Sequence, residues 1–383
     1  RMPTDRSSCA FGNGKGVIYP MRFILNPLYG NGLPSVEGMA SGEISTDTTA
    51  ARALFAKCPI AHVTPIIELP GLADDLGLKN IYIKDERGRM GLGSFKALGA
   101  AYAIAKAAAR KTETGSASSM ETALKGTTYV CASAGNHGLS MVAGARQFGA
   151  DAVVYLSETV PESFADRLRA KSGRVVREGD TYEASMAAAV QAAGENSWEL
   201  LSDSSWAGYS EPARDVMEGY LIMGAEVVEQ MDMPPTHIFL QAGVGGLAAA
   251  CTAAARMAWG YEPVICIVEP DAAPALMNSI IAGEVVTSDG PVSNMGRLDC
   301  KEPSHLALKY LAKEANAFMV VSDDEATEAV SILKQAGISS SPSGVAGLAG
   351  LRYACTSKTD LNPGLGPLSR VLLYVSEGPV TGD

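Results

Sequence analysis

The sequence predicts an α/β protein with open, mainly parallel sheets arranged in two lobes. Three observations carry that expectation. From His62 onward, short β-branched runs alternate with alanine-rich stretches of helical period. The strand-like runs are almost continuously apolar, as in strands covered on both faces. Glycine accounts for 40 of 383 residues, above the roughly 7% of ordinary chains, and it gathers where strands hand over to helices.

Taken in order, residues 1–50 are rich in Gly, Pro, Ser and Asn without sustained periodicity, and read as an irregular arm over the core. NIYIKDE at 80–86 reads as a strand, and FKALGAAYAIAKAAAR at 95–110 as the helix that follows it. A Ser/Thr/Gly-rich insert at 112–127 precedes the strand TTYVCAS, the helix NHGLSMVAGARQFG and the strand AVVYLS. The alternation continues through ADRLRAKSG, RVVREG, YEASMAAAVQAAGE, WELLS and the long helical stretch ARDVMEGYLIMGAEVVEQM. It then runs through HIFLQAG, GLAAACTAAARMAWG and VICIVEP, and the last strand is VLLYVSEG. Residues 120–212 are expected to form a smaller lobe, and 51–119 with 213–383 a larger one. In such folds, ligands sit beyond the carboxyl ends of strands, at the loops leading into helices.

Composition excludes several functions. With 42 acidic against 31 basic residues, the net charge of −11 disfavours nucleic acid and anionic membrane surfaces as partners. No apolar run approaches the roughly 18 residues of a membrane span. The first residues lack an apolar stretch with a cleavage site, and the seven cysteines are scattered without CxxC spacing, so reduced thiols and a cytoplasmic location are expected. The four histidines show no metal-ligand spacing, and no metal site is expected.

Three glycine-bearing loops stand at strand-to-helix junctions. In Gly91-Leu-Gly-Ser-Phe-Lys96, the lysine opens a helix, where the positive end of the dipole favours a neutral amine able to form a Schiff base. Taken alone, it reads rather as a surface lysine on an amphipathic helix. In Ser133-Ala134-Gly-Asn136-His-Gly138, two glycines let the backbone approach a planar ligand and Asn136 offers a neutral donor. Asn136 also suits a plain helix cap. In Gly243-Val244-Gly245-Gly246-Leu247, successive amides at a helix start form a nest for a phosphate. The same loop satisfies GxGxxG/A, and Glu269 ends the next strand where a ribose ligand would stand, so a nicotinamide-binding oxidoreductase is a rival on that segment. Ser376, at the end of the last strand, adds a hydroxyl.

Together these features resemble the fold-type II pyridoxal-phosphate enzymes, the tryptophan synthase β family, and within it the chain is most similar to the diaminopropionate ammonia-lyases. The resemblance rests on KDERGRMGLGSFKALGAAYAI, SDSSWAGYSEPARDVMEGY, PPTHIFLQAGVGGLAA, VEPD, MGRLDCKEPS, PSGVAGLAGL and VSEG, in the family's order. It implies that Lys96 binds the aldehyde of pyridoxal 5'-phosphate and acts as general base. It also implies that Asn136 donates to the ring hydroxyl oxygen, residues 243–247 hold the phosphate, and Ser376 faces the ring nitrogen. A neutral hydroxyl there favours β-elimination over transamination. Asp203 matches a second active-site aspartate, and the family implies a homodimer acting on a small amino acid. His137 is expected to pack beside the cofactor.

The chain departs from that pattern in places. Ala134 stands where the ammonia-lyases carry an acid implied to act on the D isomer, so L-specificity or another substrate is expected, with Ser133 and Ala134 beside it. Arg297, Asp299 and Lys301 stand where those enzymes have small residues, and would read a carboxylate or polar tail if their loop lines the pocket. A serine, threonine or 3-hydroxyaspartate dehydratase is the alternative within the family.

Overall fold

The computed structural model describes residues 21–34, 37–133, 135–357 and 363–379. Two sheets organise them. The larger takes its central strands from β3 (Asn80–Asp85), β8 (His237–Gln241), β9 (Val264–Pro270), β10 (Ala317–Val321) and β11 (Arg370–Val375), all parallel. Antiparallel edges are added by β1 (Phe23–Leu25) and β2 (Ile66–Glu68), giving the order β1-β10-β9-β8-β11-β3-β2. The smaller sheet is wholly parallel, in the order β6-β5-β4-β7: β4 is Thr128–Ala132, β5 Asp151–Leu156, β6 Arg174–Arg177 and β7 Glu199–Leu200.

The strand sequences explain their placement. Every residue of β8 and β10 is buried, which a strand tolerates only when helices cover both of its faces. Those helices are small-residue rich, so their backbones approach closely. In α7 (Glu211–Gln230) and α8 (Gly246–Trp259), a Cβ on Gly224 would fall 2.6 Å from the Ala254 Cβ. At Gly219 a Cβ would fall 2.1 Å from the Leu98 carbonyl oxygen, so α7 rides directly on the turn that carries Lys96.

Two expectations need correction. The arm is not wholly irregular, because Phe23–Leu25 completes an edge of the large sheet and Asn26 Nδ2 donates to the Ala312 and Ala315 carbonyls at 2.9 and 2.7 Å. Three residues are too few for a period of two to show in sequence. The helix expected from Phe95 is also interrupted: Phe95–Leu98 is a separate 3₁₀ turn, and α3 (Ala100–Glu113) starts only after Gly99.

Candidate active site

A cavity of about 520 Å³ opens at the carboxyl ends of both sets of strands, in the size range of small-molecule sites. It is lined by Lys96, Ser133, Asn136, Asp203, Gly243, Val244, Gly245, Gly246, Leu247, Arg297, Asp299 and Ser376. Ala134 lies outside the described residues.

Hydrogen bonds from the end of β11 hold the lysine turn in place. The Phe95 amide donates to the Ser376 carbonyl at 3.0 Å, the Gly378 amide donates to the Gly93 carbonyl at 2.9 Å, and Ser94 bridges to Glu377. The Ser94 hydroxyl accepts from the Lys96 amide at 3.0 Å and caps the 3₁₀ turn. Lys96 and Ser376 are therefore fixed to one another across the cavity floor.

The lysine's electrostatics differ from the sequence expectation. Lys96 sits in a four-residue turn rather than at the head of a long helix, and its Nζ donates to Asp203 Oδ2. Burial alone would lower the amine's pKa, but the Asp203 carboxylate outweighs it and raises the value above that of an ordinary lysine. Asp203 shows the converse: burial opposes its charge, yet Lys96 and His137 hold its pKa well below the carboxylate range. The pair is charged as it stands, so a neutral amine requires the pair to be broken.

Asn136 is the first residue of α4 (Asn136–Gln147), and its Nδ2 donates to Glu377 Oε2 at 2.5 Å, leaving a second amide hydrogen for another acceptor. His137 Nε2 donates to the Leu201 carbonyl at 2.8 Å, and burial lowers its pKa. It lines the cavity, and among the described residues no hydrogen bond engages its Nδ1.

The glycine loop fits a phosphate. Gly245, at φ 103°, caps α8 in a left-handed conformation that glycine adopts without strain, and no side chain caps that helix. The first intrahelical bond runs from the Ala249 amide to the Gly245 carbonyl, so the amides of Gly246, Leu247 and Ala248 have no intrahelical acceptor and are open to an anion. A Cβ on Gly243 would lie 3.0 Å from Cys300 Sγ and 3.1 Å from the Arg297 carbonyl oxygen, so only glycine lets this loop and the 297–300 loop close the cradle. The buried Tyr220 hydroxyl also lines the cavity, and among the described residues no hydrogen bond engages it. A lysine, an uncapped amide nest, a neutral donor and a hydroxyl around one cavity suit a phosphorylated aromatic aldehyde.

The rival reading of the same loop loses its second element. Glu269 is fully buried, and its carboxylate accepts from the Leu276 and Met277 amides at 2.7 and 2.8 Å, capping α9 (Ala275–Ala282). Burial pushes its pKa up to about 8. It does not line the cavity and cannot serve a ribose.

Two features escaped sequence reasoning. Glu377 follows Ser376 in VSEG, and its carboxylate accepts from both Asn136 and the Ser341 hydroxyl, orienting the asparagine. An acid beside a candidate site hydroxyl was the available signal. The second is a buried ion cluster beneath the lysine loop. Lys84 and Arg89 both pair with Glu226 of α7 at 2.7 Å, Arg89 pairs with Glu86 at 2.7 Å, and the Thr64 hydroxyl joins them. Both cations are fully buried. The cluster anchors the turn that leads into residues 91–96.

A model of the family described as pyridoxal-phosphate dependent enzyme matches residues 59–377. Diaminopropionate ammonia-lyase of Escherichia coli is 32% identical over 295 residues, 74% of each chain. A probable D-serine dehydratase of Cupriavidus pinatubonensis is 30% identical over 57% of this chain and 51% of its own. Among solved structures, diaminopropionate ammonia lyase from Escherichia coli, in complex with an aminoacrylate–PLP azomethine reaction intermediate, matches with a TM-score of 0.82 at 28% identity over 93% of each chain.

Proposed function

The chain belongs to the pyridoxal-phosphate dependent enzyme family, and on that premise we propose that it is an ammonia-lyase acting on 2,3-diaminopropionate or a related β-substituted L-amino acid. The observation that carries the reading is the single cavity in which Lys96, paired to Asp203, faces the uncapped amides of α8, Asn136 and Ser376.

When bound, pyridoxal 5'-phosphate withdraws electrons from the substrate's Cα–H bond and makes that proton acidic. Lys96 would hold the cofactor aldehyde, and the amides of Gly243, Val244, Gly245, Gly246 and Leu247 would take its phosphate. Asn136, steadied by Glu377, would donate to the ring hydroxyl oxygen, and the neutral Ser376 hydroxyl would serve the ring nitrogen. Ser133, in the cavity lining, would border the substrate. The Lys96 amine would take the Cα proton as general base. The resulting ammonium, paired with Asp203, would donate a proton to the departing β-nitrogen. Overall, 2,3-diaminopropionate and one water give pyruvate and two ammonia.

The small domain in this reading is residues 120–212, a span that contains all four strands of the second sheet. Residues 51–119 and 213–383 form the cofactor domain, and closure between the two excludes water. A cytoplasmic homodimer completes the proposal, tested by light scattering and cell fractionation; among the described residues no helix is long and apolar enough to cross a membrane.

The deciding assay counts ammonia per 2-oxo acid. Two per pyruvate from L-2,3-diaminopropionate, with slower turnover of the D isomer, is expected. A serine, threonine or 3-hydroxyaspartate dehydratase would release one from its hydroxy amino acid; the relation to a probable D-serine dehydratase favours this second reading. Lys96→Ala abolishes the visible Schiff-base absorption that develops when the protein is titrated with cofactor. Persistence of that band in the variant refutes the assignment of Lys96.

A further inference from the structure

The 296–301 loop brings Arg297 and Asp299 to the cavity, and Lys301, outside the lining, neutralises Asp299. Lys301 Nζ donates to Asp299 Oδ1 at 2.6 Å and to the Ala272 and Pro291 carbonyls at 2.9 Å each. The other Asp299 oxygen accepts from the Ser293 amide at 3.1 Å. Arg297 is left over. Its Nε is buried without a hydrogen-bond partner, and among the described residues no bond engages its other guanidinium nitrogens. Glu377 Oε2 lies 3.6 Å from Nε, but that carboxylate already accepts from Asn136 and Ser341.

The arginine is nevertheless held in position. Its amide donates to Ser343 Oγ at 3.1 Å, and its guanidinium carbon lies 5.2 Å from the centroid of the Phe164 ring. It rests against Gly135, where a Cβ would lie 3.5 Å from Nε. A planar, permanently charged fork with free donors in a ligand cavity is suited to a carboxylate. It is the wrong charge for a β-ammonium group, which it would repel.

We propose that Arg297 is the specificity-determining residue of this site and selects β-substituted L-amino acids that carry a second carboxylate, on Cβ or on the leaving group. The inference rests on the β-elimination reading above and, within it, favours the related acid-bearing β-substituted amino acids over 2,3-diaminopropionate. Elimination then follows the same balance: 3-hydroxyaspartate loses its Cα proton and hydroxide as water, water returns on hydrolysis, and oxaloacetate and ammonia are released.

Two substrate pairs test it on the holoenzyme. L-threo-3-hydroxyaspartate and L-serine share a leaving group and differ by a carboxylate on Cβ. O-succinyl-L-serine and O-acetyl-L-serine place that difference on the leaving group. The expected result is a higher kcat/KM for the acid-bearing member of at least one pair, which locates the carboxylate. In Arg297→Gly, that preference falls about tenfold to hundredfold, the range of a hydrogen bond to a charged group. Arg297→Lys, which keeps the charge without the fork, retains part of it. Equal loss on both members of each pair overturns the proposal, because Arg297 then serves the α-carboxylate common to all. So does a wild-type preference for 2,3-diaminopropionate over every acid-bearing substrate. Absence of 2-oxo acid from all substrates, with no Schiff-base absorption, would instead sink the elimination reading on which the proposal stands.

Discussion

Replacing Asp203 by asparagine should make the apoprotein capture its cofactor faster near neutral pH. The reason is the charge state of Lys96, whose pKa is held high by the carboxylate it donates to. Two unit charges about 4 Å apart at an effective dielectric of about 20 interact by about 4 kcal/mol. At about 1.4 kcal/mol per pKa unit, that is about three units. Asparagine removes this attraction while burial continues to favour the neutral amine, so the pKa of Lys96 falls. Below that pKa, each unit of fall multiplies the neutral amine tenfold, giving an upper limit of about 1000-fold. Only the neutral amine attacks an aldehyde. Stopped-flow measurement of Schiff-base absorbance, with apoprotein mixed against pyridoxal 5'-phosphate across a pH series, reads the effect directly. The expected result is an acid shift of the pH midpoint in Asp203→Asn and a faster rate at neutrality. A midpoint that stays in place or moves to higher pH refutes the argument, whatever happens to turnover.

Two further substitutions probe the scaffold. Gly219→Ala gains about 1 kcal/mol of helix propensity, but its Cβ would fall 2.1 Å from the Leu98 carbonyl oxygen, an overpacking that costs about 1–3 kcal/mol. Net destabilisation and weaker cofactor binding are expected by urea unfolding and absorbance titration, whereas a stabilised variant would refute the packing of α7 on the lysine turn. Glu269 is raised from 4.5 to about 8 in the folded protein. Its native form therefore keeps a proton that the unfolded chain releases, and stability is lost as pH rises through that window. Glu269→Gln should flatten that part of the stability profile in thermal unfolding, and an unchanged slope would contradict the upward shift that burial gives this carboxyl.

The sheets were legible because their strands are long, apolar and separated by helices of alanine and glycine. β1 was not, since three residues against an edge carry no period, and the break at Gly99 was hidden inside an alanine-rich run that reads as one helix. The cavity-lining residues were legible as glycine-bearing motifs at strand ends, because close backbone approach to a ligand leaves a compositional trace. Charge partnerships leave none. The pairing of Lys96 with Asp203 and the role of Glu377 depend on segments far apart in sequence, and the sequence reading of Lys96 from its local helix dipole had the sign of its pKa shift reversed. Glu269 shows the same limit: its spacing suited a ribose, but its oxygens were already committed to a neighbouring helix.

The ion cluster of Lys84, Glu86, Arg89 and Glu226 also constrains how this chain can diverge. Removing one partner from a buried pair strands its counter-charge, at a cost of about 3–5 kcal/mol, against a total stability of about 5–15 kcal/mol for a typical domain. A single neutralising substitution at any of the four positions thus uses much of the margin on which folding depends. These sites are coupled in descent: viable variants should change a cation and its carboxylate within the same lineage or leave all four alone, and the order in which two such substitutions arise should matter more than the identity of either.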